Sequence, residues 1–151
     1  MGCSEILTTQ ITLDHFREDE VFFCTAKDGR PCGSCPKCFR RACIRDYLQN
    51  KKADFFNYDN PQVHSILNKS PIYFGHIYST LIADGWTPPS FALDKLTSLP
   101  SDSIFALRYN PESLDFMPDE IREYIKSKLD KKFTPMNTTE LKMMKSWDQI
   151  K

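Results

Sequence analysis

Residues 24 to 38 read CTAKDGRPCGSCPKC, and four of the chain's six cysteines fall in that stretch, at Cys24, Cys32, Cys35 and Cys38. What those sulfurs hold decides how the rest of the sequence folds. The spacing from Cys24 is C-x7-C-x2-C-x2-C. A two-residue gap lets a tight turn aim two thiolates at one point, about 2.3 Å from a zinc ion. Gly33 supplies the backbone freedom such a knuckle needs, and Pro31 and Pro36 stiffen its flanks. Three other states of the cysteines compete with zinc, the first being disulfides, which a reducing compartment weakens and no thioredoxin-like strand-helix context supports. Cys32, Cys35, Cys38 and Cys43 make C-x2-C-x2-C-x4-C, close to the iron–sulfur run C-x2-C-x2-C-x3-C-P, from which it departs by one extra residue and a missing proline. Unligated thiols are the third state. Zinc through Cys24, Cys32, Cys35 and Cys38 is the expectation. Cys43 is then a buried free thiol inside the helix that follows.

Four protein thiolates leave no open coordination position for water. Such a metal is structural and contributes to folding rather than to chemistry. Its formal charge of −2 is offset locally by Lys27, Arg30, Lys37, Arg40, Arg41, Arg45, Lys51 and Lys52, against Asp28 and Asp46. That collar also offers contacts to phosphate or nucleic acid, although charge compensation and ordinary solvation are the favoured account of it.

Working outward, CPKCFRRACIRDYLQN places Pro36 at a helix start with Phe39, Cys43 and Tyr47 at i, i+4 and i+8, which predicts a helix. Upstream, SEILTTQITLD reads as a short helix and VFFC as an extended approach to the first cysteine. DFFNYDN, residues 54–60, is a turn-rich connector that packs aromatics. Beyond it, residues 61–68 and 72–84 are expected helices, the second ended by Gly85, and FALDKL is a short one. Pro118 opens PDEIREYIKSKLDKK, with acids in the first turn, lysines in the last, and Ile121, Tyr124, Ile125 and Leu129 on one face. Asn137-Thr138-Thr139-Glu140 is a capping box that leads into a final helix, where the methionines serve as core filler. The chain is expected to be mainly α: a zinc-knuckle segment over 1–58 followed by a helical extension over 59–151.

Composition narrows the function classes. The 151 residues suit one domain or a modest domain with an appendage, with 40% hydrophobic and 26% charged residues, as in soluble globular proteins. Acidic and basic residues balance at 20 each, so no global field drives the chain onto nucleic acid or an anionic membrane. No apolar run reaches the roughly 18 residues of a membrane span. Glu5 and the absence of a long apolar stretch exclude a secretory signal, and six cysteines then point to a reducing, cytoplasmic setting. Met1-Gly2-Cys3-Ser4 looks like an acylation start, but Ile6 stands where a hydroxyl residue is needed. His15, His64 and His76 are isolated, and no nucleophile with a neighbouring base is found.

SEILTTQITLDHFREDEVFFC followed by CGSCPKCFRRA resembles the C-terminal part of the 7-cyano-7-deazaguanine synthase (QueC) family, over residues 4–44. In that family a C-G-x-C-x-x-C-x-x-R knuckle binds zinc. Cys24, Cys32, Cys35 and Cys38 take its ligand positions, Gly33 its glycine and Arg41 its arginine. VFFC stands where the family has T-W-S-C, and a long helical region replaces its short tail, which favours a divergent member. The resemblance implies an ATP-dependent ligase of the PP-loop superfamily, acting on a purine-like substrate in queuosine biosynthesis. The nucleotide loop of such enzymes, S-G-G-x-D-S, is missing: the five glycines Gly2, Gly29, Gly33, Gly75 and Gly85 are all separated. This chain is therefore expected not to catalyse alone, but to pair with an ATP-binding domain or chain, with Arg40, Arg41 or Arg45 facing a phosphate or carboxylate. Homo-oligomers are compatible with this. A stand-alone zinc-knuckle adaptor for protein or nucleic acid, and an iron–sulfur electron carrier, are the alternatives.

Overall fold

The structure, a computed structural model, describes residues 4–16, 31–69, 75–97 and 104–147. It is mainly helical, and no strand forms among the described residues. Seven α-helices follow in chain order among the described residues: α1 (Glu5–His15), α2 (Pro36–Gln49), α3 (Pro61–Lys69), α4 (Gly75–Ala83), α5 (Leu93–Thr97), α6 (Asp119–Asp130) and α7 (Thr138–Trp147). Short 3-10 turns at Ser90–Ala92, Ile104–Leu107 and Pro111–Phe116 join them. The expected extended segment VFFC lies outside the described residues. Contacts divide the chain into two units, Met1–Thr8 with Ile104–Lys151, and Thr9–Ser103. The expected boundary at 58/59 thus falls inside the second unit rather than between the two.

Unit Thr9–Ser103 is built on α2. Pro36 sits in its first turn, where a missing N–H costs nothing, and Cys35 is the N-cap. Asn50 ends the helix in the left-handed conformation at φ 52°. Phe39, Ala42, Cys43 and Ile44 face inward and are buried. The Phe39 ring meets Phe56 at 5.5 Å, Phe91 at 5.7 Å and Tyr78 at 5.9 Å between centroids. This aromatic cluster brings α2, the 53–58 connector, α4 and the 90–92 turn together around one side chain. His64 is used structurally, stacked on Phe91 at 4.0 Å and bonded to the Tyr58 carbonyl. The end of α4 is closed by paired bonds, Gly85 N–H to the Ile82 carbonyl and Trp86 N–H to the Leu81 carbonyl, with Gly85 at φ 92°.

The other unit gathers around Leu7, Tyr109 and Leu114, with Met117, Ile125, Leu129 and Phe133 packed against them. Tyr109 is 1% exposed and bridges to Pro135, its N–H bonding the Thr134 carbonyl and its carbonyl accepting from Met136 N–H. The capping box forms as its sequence requires. Asn137 Oδ1 accepts from Glu140 N–H at 3.0 Å, and Glu140 Oε2 accepts from Asn137 N–H at 2.8 Å. One expectation for α6 needs correction. Ile125 and Leu129 reach the core, but Ile121 is 49% and Tyr124 61% exposed. The core needs only a narrow stripe of this helix, because Arg122 fills the adjoining position. Its guanidinium donates to the Leu114 and Met117 carbonyls that end the 111–116 turn.

Candidate metal centre

The knuckle residues Pro31 to Cys35 turn sharply into α2. Gly33 makes the turn at φ +69°, and a Cβ there would stand 2.7 Å from the Phe55 carbonyl oxygen. Only glycine meets both demands. Cys35 then caps α2, its Sγ accepting from the Cys38 backbone N–H at 3.4 Å, and Cys38 enters the first helical turn facing back.

These two constraints bring three thiols together. The sulfurs of Cys32, Cys35 and Cys38 all lie within 4.8 Å of one another, close enough to hold a metal ion. Cys32 Sγ and Cys38 Sγ are 3.7 Å apart. A disulfide needs about 2.0 Å, so this is not one. Four sulfurs arranged tetrahedrally at about 2.3 Å from a metal have edges of about 3.8 Å, which this separation matches. Ser34 Oγ donates to Cys32 Sγ at 3.7 Å. The remaining sequence-expected ligand, Cys24, lies outside the described residues. Cys43, the fourth member of the iron–sulfur spacing, is fully buried in the aromatic core and is not one of the three clustered thiols.

Burial pushes the Cys38 thiol up to about 12, although a backbone hydrogen bond from Gly33 works the other way. Burial also raises Cys35, with neighbouring Cys32 adding to the rise. Bare thiolates are therefore disfavoured against one another. A divalent cation reverses that balance, since a coordinating thiol gives up its proton. The N-terminus of α2 contributes in the same sense, its partial positive charge resting beside Cys35 and Cys38.

The three arginines expected near the site have distinct settings. Arg40 and Arg41 are half-buried on α2. Arg45 is only 9% exposed, with its guanidinium over the Phe55 ring at 5.0 Å from the centroid. Each of the three is engaged in contacts within the fold.

The sequence gives no warning of a second concavity in the same unit, an open groove of about 690 Å³ where α2 and α4 end. Asp46, Tyr58, Asp84, Trp86 and Phe91 line it. Asp46 accepts from Ala53 N–H and from the Tyr58 hydroxyl, both at 2.6 Å, and Asp84 accepts from the Tyr47 hydroxyl at 2.5 Å. Those residues come from four separate elements, so no spacing in the chain announces them.

No helix among the described residues is long and apolar enough to cross a membrane. No curated protein and no solved structure matches the chain. One family match spans residues 1–148, and by it the chain belongs to the family of unknown function DUF6395.

Proposed function

We propose that this chain is a zinc-organised accessory module, without catalysis of its own, that acts on a partner. The observation that carries this is the 3.7 Å separation of Cys32 and Cys38 Sγ within a three-thiol cluster at a helix entry. Cys24 completes the set as the fourth thiolate, so the metal is closed off from substrate and stabilises the fold. Zinc suits four soft thiolates in a tetrahedral arrangement and has no redox chemistry to control.

On the resemblance of residues 4–44, the partner is an ATP-binding PP-loop domain or chain of a 7-cyano-7-deazaguanine synthase-like ligase. There the metal braces one wall of the substrate site, and Arg40 or Arg41 meets a phosphate or carboxylate. A second reading rests on the placement of exposed Lys37 with half-buried Arg40 and Arg41 along α2, beside the knuckle. It makes the chain an adaptor that binds protein or nucleic acid. Mixing the zinc-loaded chain with a PP-loop partner separates the two. ATP-dependent pyrophosphate release that needs both components supports the ligase. An oligonucleotide mobility shift that weakens steeply with salt supports the adaptor. A chain that takes up no metal ends both readings.

A further inference from the structure

The groove at the ends of α2 and α4 has a composition that selects one kind of ligand. Asp46, Asp59 and Asp84 line it against Lys51 and Lys52, so carboxylates outnumber ammonium groups by one. Two helix C-termini also close on it. α2 stops at Asn50 with φ 52°, α4 ends at Ala83 with Gly85 at φ 92° just beyond it, and both Asn50 and Gly85 line the cavity. The last carbonyls of α2 carry partial negative charge that adds to the field of the carboxylates, whereas those of α4 at Thr80, Leu81 and Ile82 are taken up by the Asp84, Trp86 and Gly85 N–H groups.

The walls are aromatic. Tyr58, Trp86 and Phe91 all contribute to the lining, and Trp86 and Phe91 are only half-buried. An electron-rich ring face attracts a cation, indole most strongly. The protein already uses this wall in that way, since Lys52 Nζ stands over the Tyr58 ring at 5.7 Å from its centroid. Half-buried Pro89 and buried Pro88 are also among the lining residues and add apolar surface. A net excess of carboxylates, aromatic lining and apolar surface together favour a cation carried on an aliphatic chain over an anion.

We propose that this groove binds an organic cation, a guanidinium or ammonium on an aliphatic stem, as presented by an arginine or lysine side chain of a partner polypeptide. Asp84 supplies the principal ionic contact. It is exposed, and the Tyr47 hydroxyl holds its Oδ2 in place. Trp86, two residues on, supplies the ring face. The proposal is independent of which metal fills the knuckle, because none of its residues is a cysteine.

The test uses the full chain as purified. A blocked glycine-arginine-glycine peptide is titrated in by calorimetry and by tryptophan fluorescence, with Trp86→Phe used to separate the Trp86 signal from that of Trp147. Agmatine is titrated in parallel. The expected result is saturable binding of the arginine peptide, a fluorescence change lost in Trp86→Phe, and affinity about tenfold lower in Asp84→Asn. Asp84→Asn keeps an oxygen for Tyr47, and Asp59→Asn, at an exposed position, gives a second variant expected to weaken binding in the same direction. Tighter binding of the peptide than of agmatine assigns the cation to a polypeptide, and equal binding assigns it to a small amine of the same chemistry. A citrulline peptide that binds as well as the arginine one overturns the proposal. So does the lack of saturation up to about 10 mM, which corresponds to only about 2.7 kcal/mol of affinity.

Discussion

Gly33 and Phe55 meet backbone to backbone: a side-chain carbon on Gly33 would stand 2.7 Å from the Phe55 carbonyl oxygen, and Gly33 itself holds φ +69°. The knuckle is thereby seated on the 53–58 connector, whose Phe56 and Tyr58 belong to the core of the same unit. The three clustered thiols and the aromatic cluster share one support.

Gly33→Ala tests that support. Alanine pays the left-handed penalty and must also push away a backbone oxygen that cannot rotate aside. A loss of about 2 kcal/mol or more is expected, read as a lower urea midpoint with unchanged slope. Zinc affinity should fall with it, because the same turn aims Cys32 and Cys35.

Cys35 and Cys43 should behave in opposite ways. Serine at 35 remains a good helix cap, so Cys35→Ser removes a metal ligand while sparing the start of α2. Metal content should drop to near zero, and circular dichroism should show lost helix. Cys43→Ala removes one buried sulfur from a packed core and should cost about 1 kcal/mol with full metal content. Equal metal loss in both variants would mean that Cys43 is a ligand.

Asp46 holds two donors, Ala53 N–H and the Tyr58 hydroxyl, at the edge of the core. Asp46→Ala leaves both without an acceptor, and Tyr58 is buried. The expected cost is about 2–3 kcal/mol in chemical denaturation. Tyr58→Phe, which removes the second donor as well, should recover part of that loss when combined with it. Simple additivity of the two changes would show that they do not interact.

Tyr109 and Asp130 set a pH dependence. The Tyr109 hydroxyl donates to Asp130 Oδ1 at 2.5 Å, and this bond holds the Asp130 carboxyl below its ordinary value of 3.8. A lowered folded value means stability present above the unfolded value and lost as pH falls through the folded one. Thermal unfolding should therefore show a decline below pH 3.8 that is shallower in Tyr109→Phe. The carbon resonance of the Asp130 carboxyl should titrate at higher pH in that variant.

Much of the fold could be read from local chemistry. Pro36, the apolar spacing after it, Gly85 and the Asn137–Glu140 box each placed a helix end to within a residue or so, because caps and stops act through neighbours in the chain. The three thiols at 32, 35 and 38 were legible for the same reason. What escaped was set by distant partners. The sequence could not show that Arg122 would occupy the flank of α6 and leave Ile121 and Tyr124 in solvent. It gave no sign of the 104–116 turns, which exist to carry Tyr109 to Pro135, nor of the groove assembled from the ends of two helices.

The correction to α6 has its own test. Tyr124→Ser should alter stability by no more than about 0.5 kcal/mol, whereas Ile125→Ala should cost about 2 kcal/mol. Comparable losses from both would restore the broader buried face.

The most direct measurement is elemental analysis of the chain purified without chelator or added metal, paired with X-ray absorption at the zinc edge. One zinc per chain, with sulfur neighbours only at about 2.3 Å, is the expected result. A cooperatively folded chain free of metal, or a brown one with iron and inorganic sulfide, would contradict it.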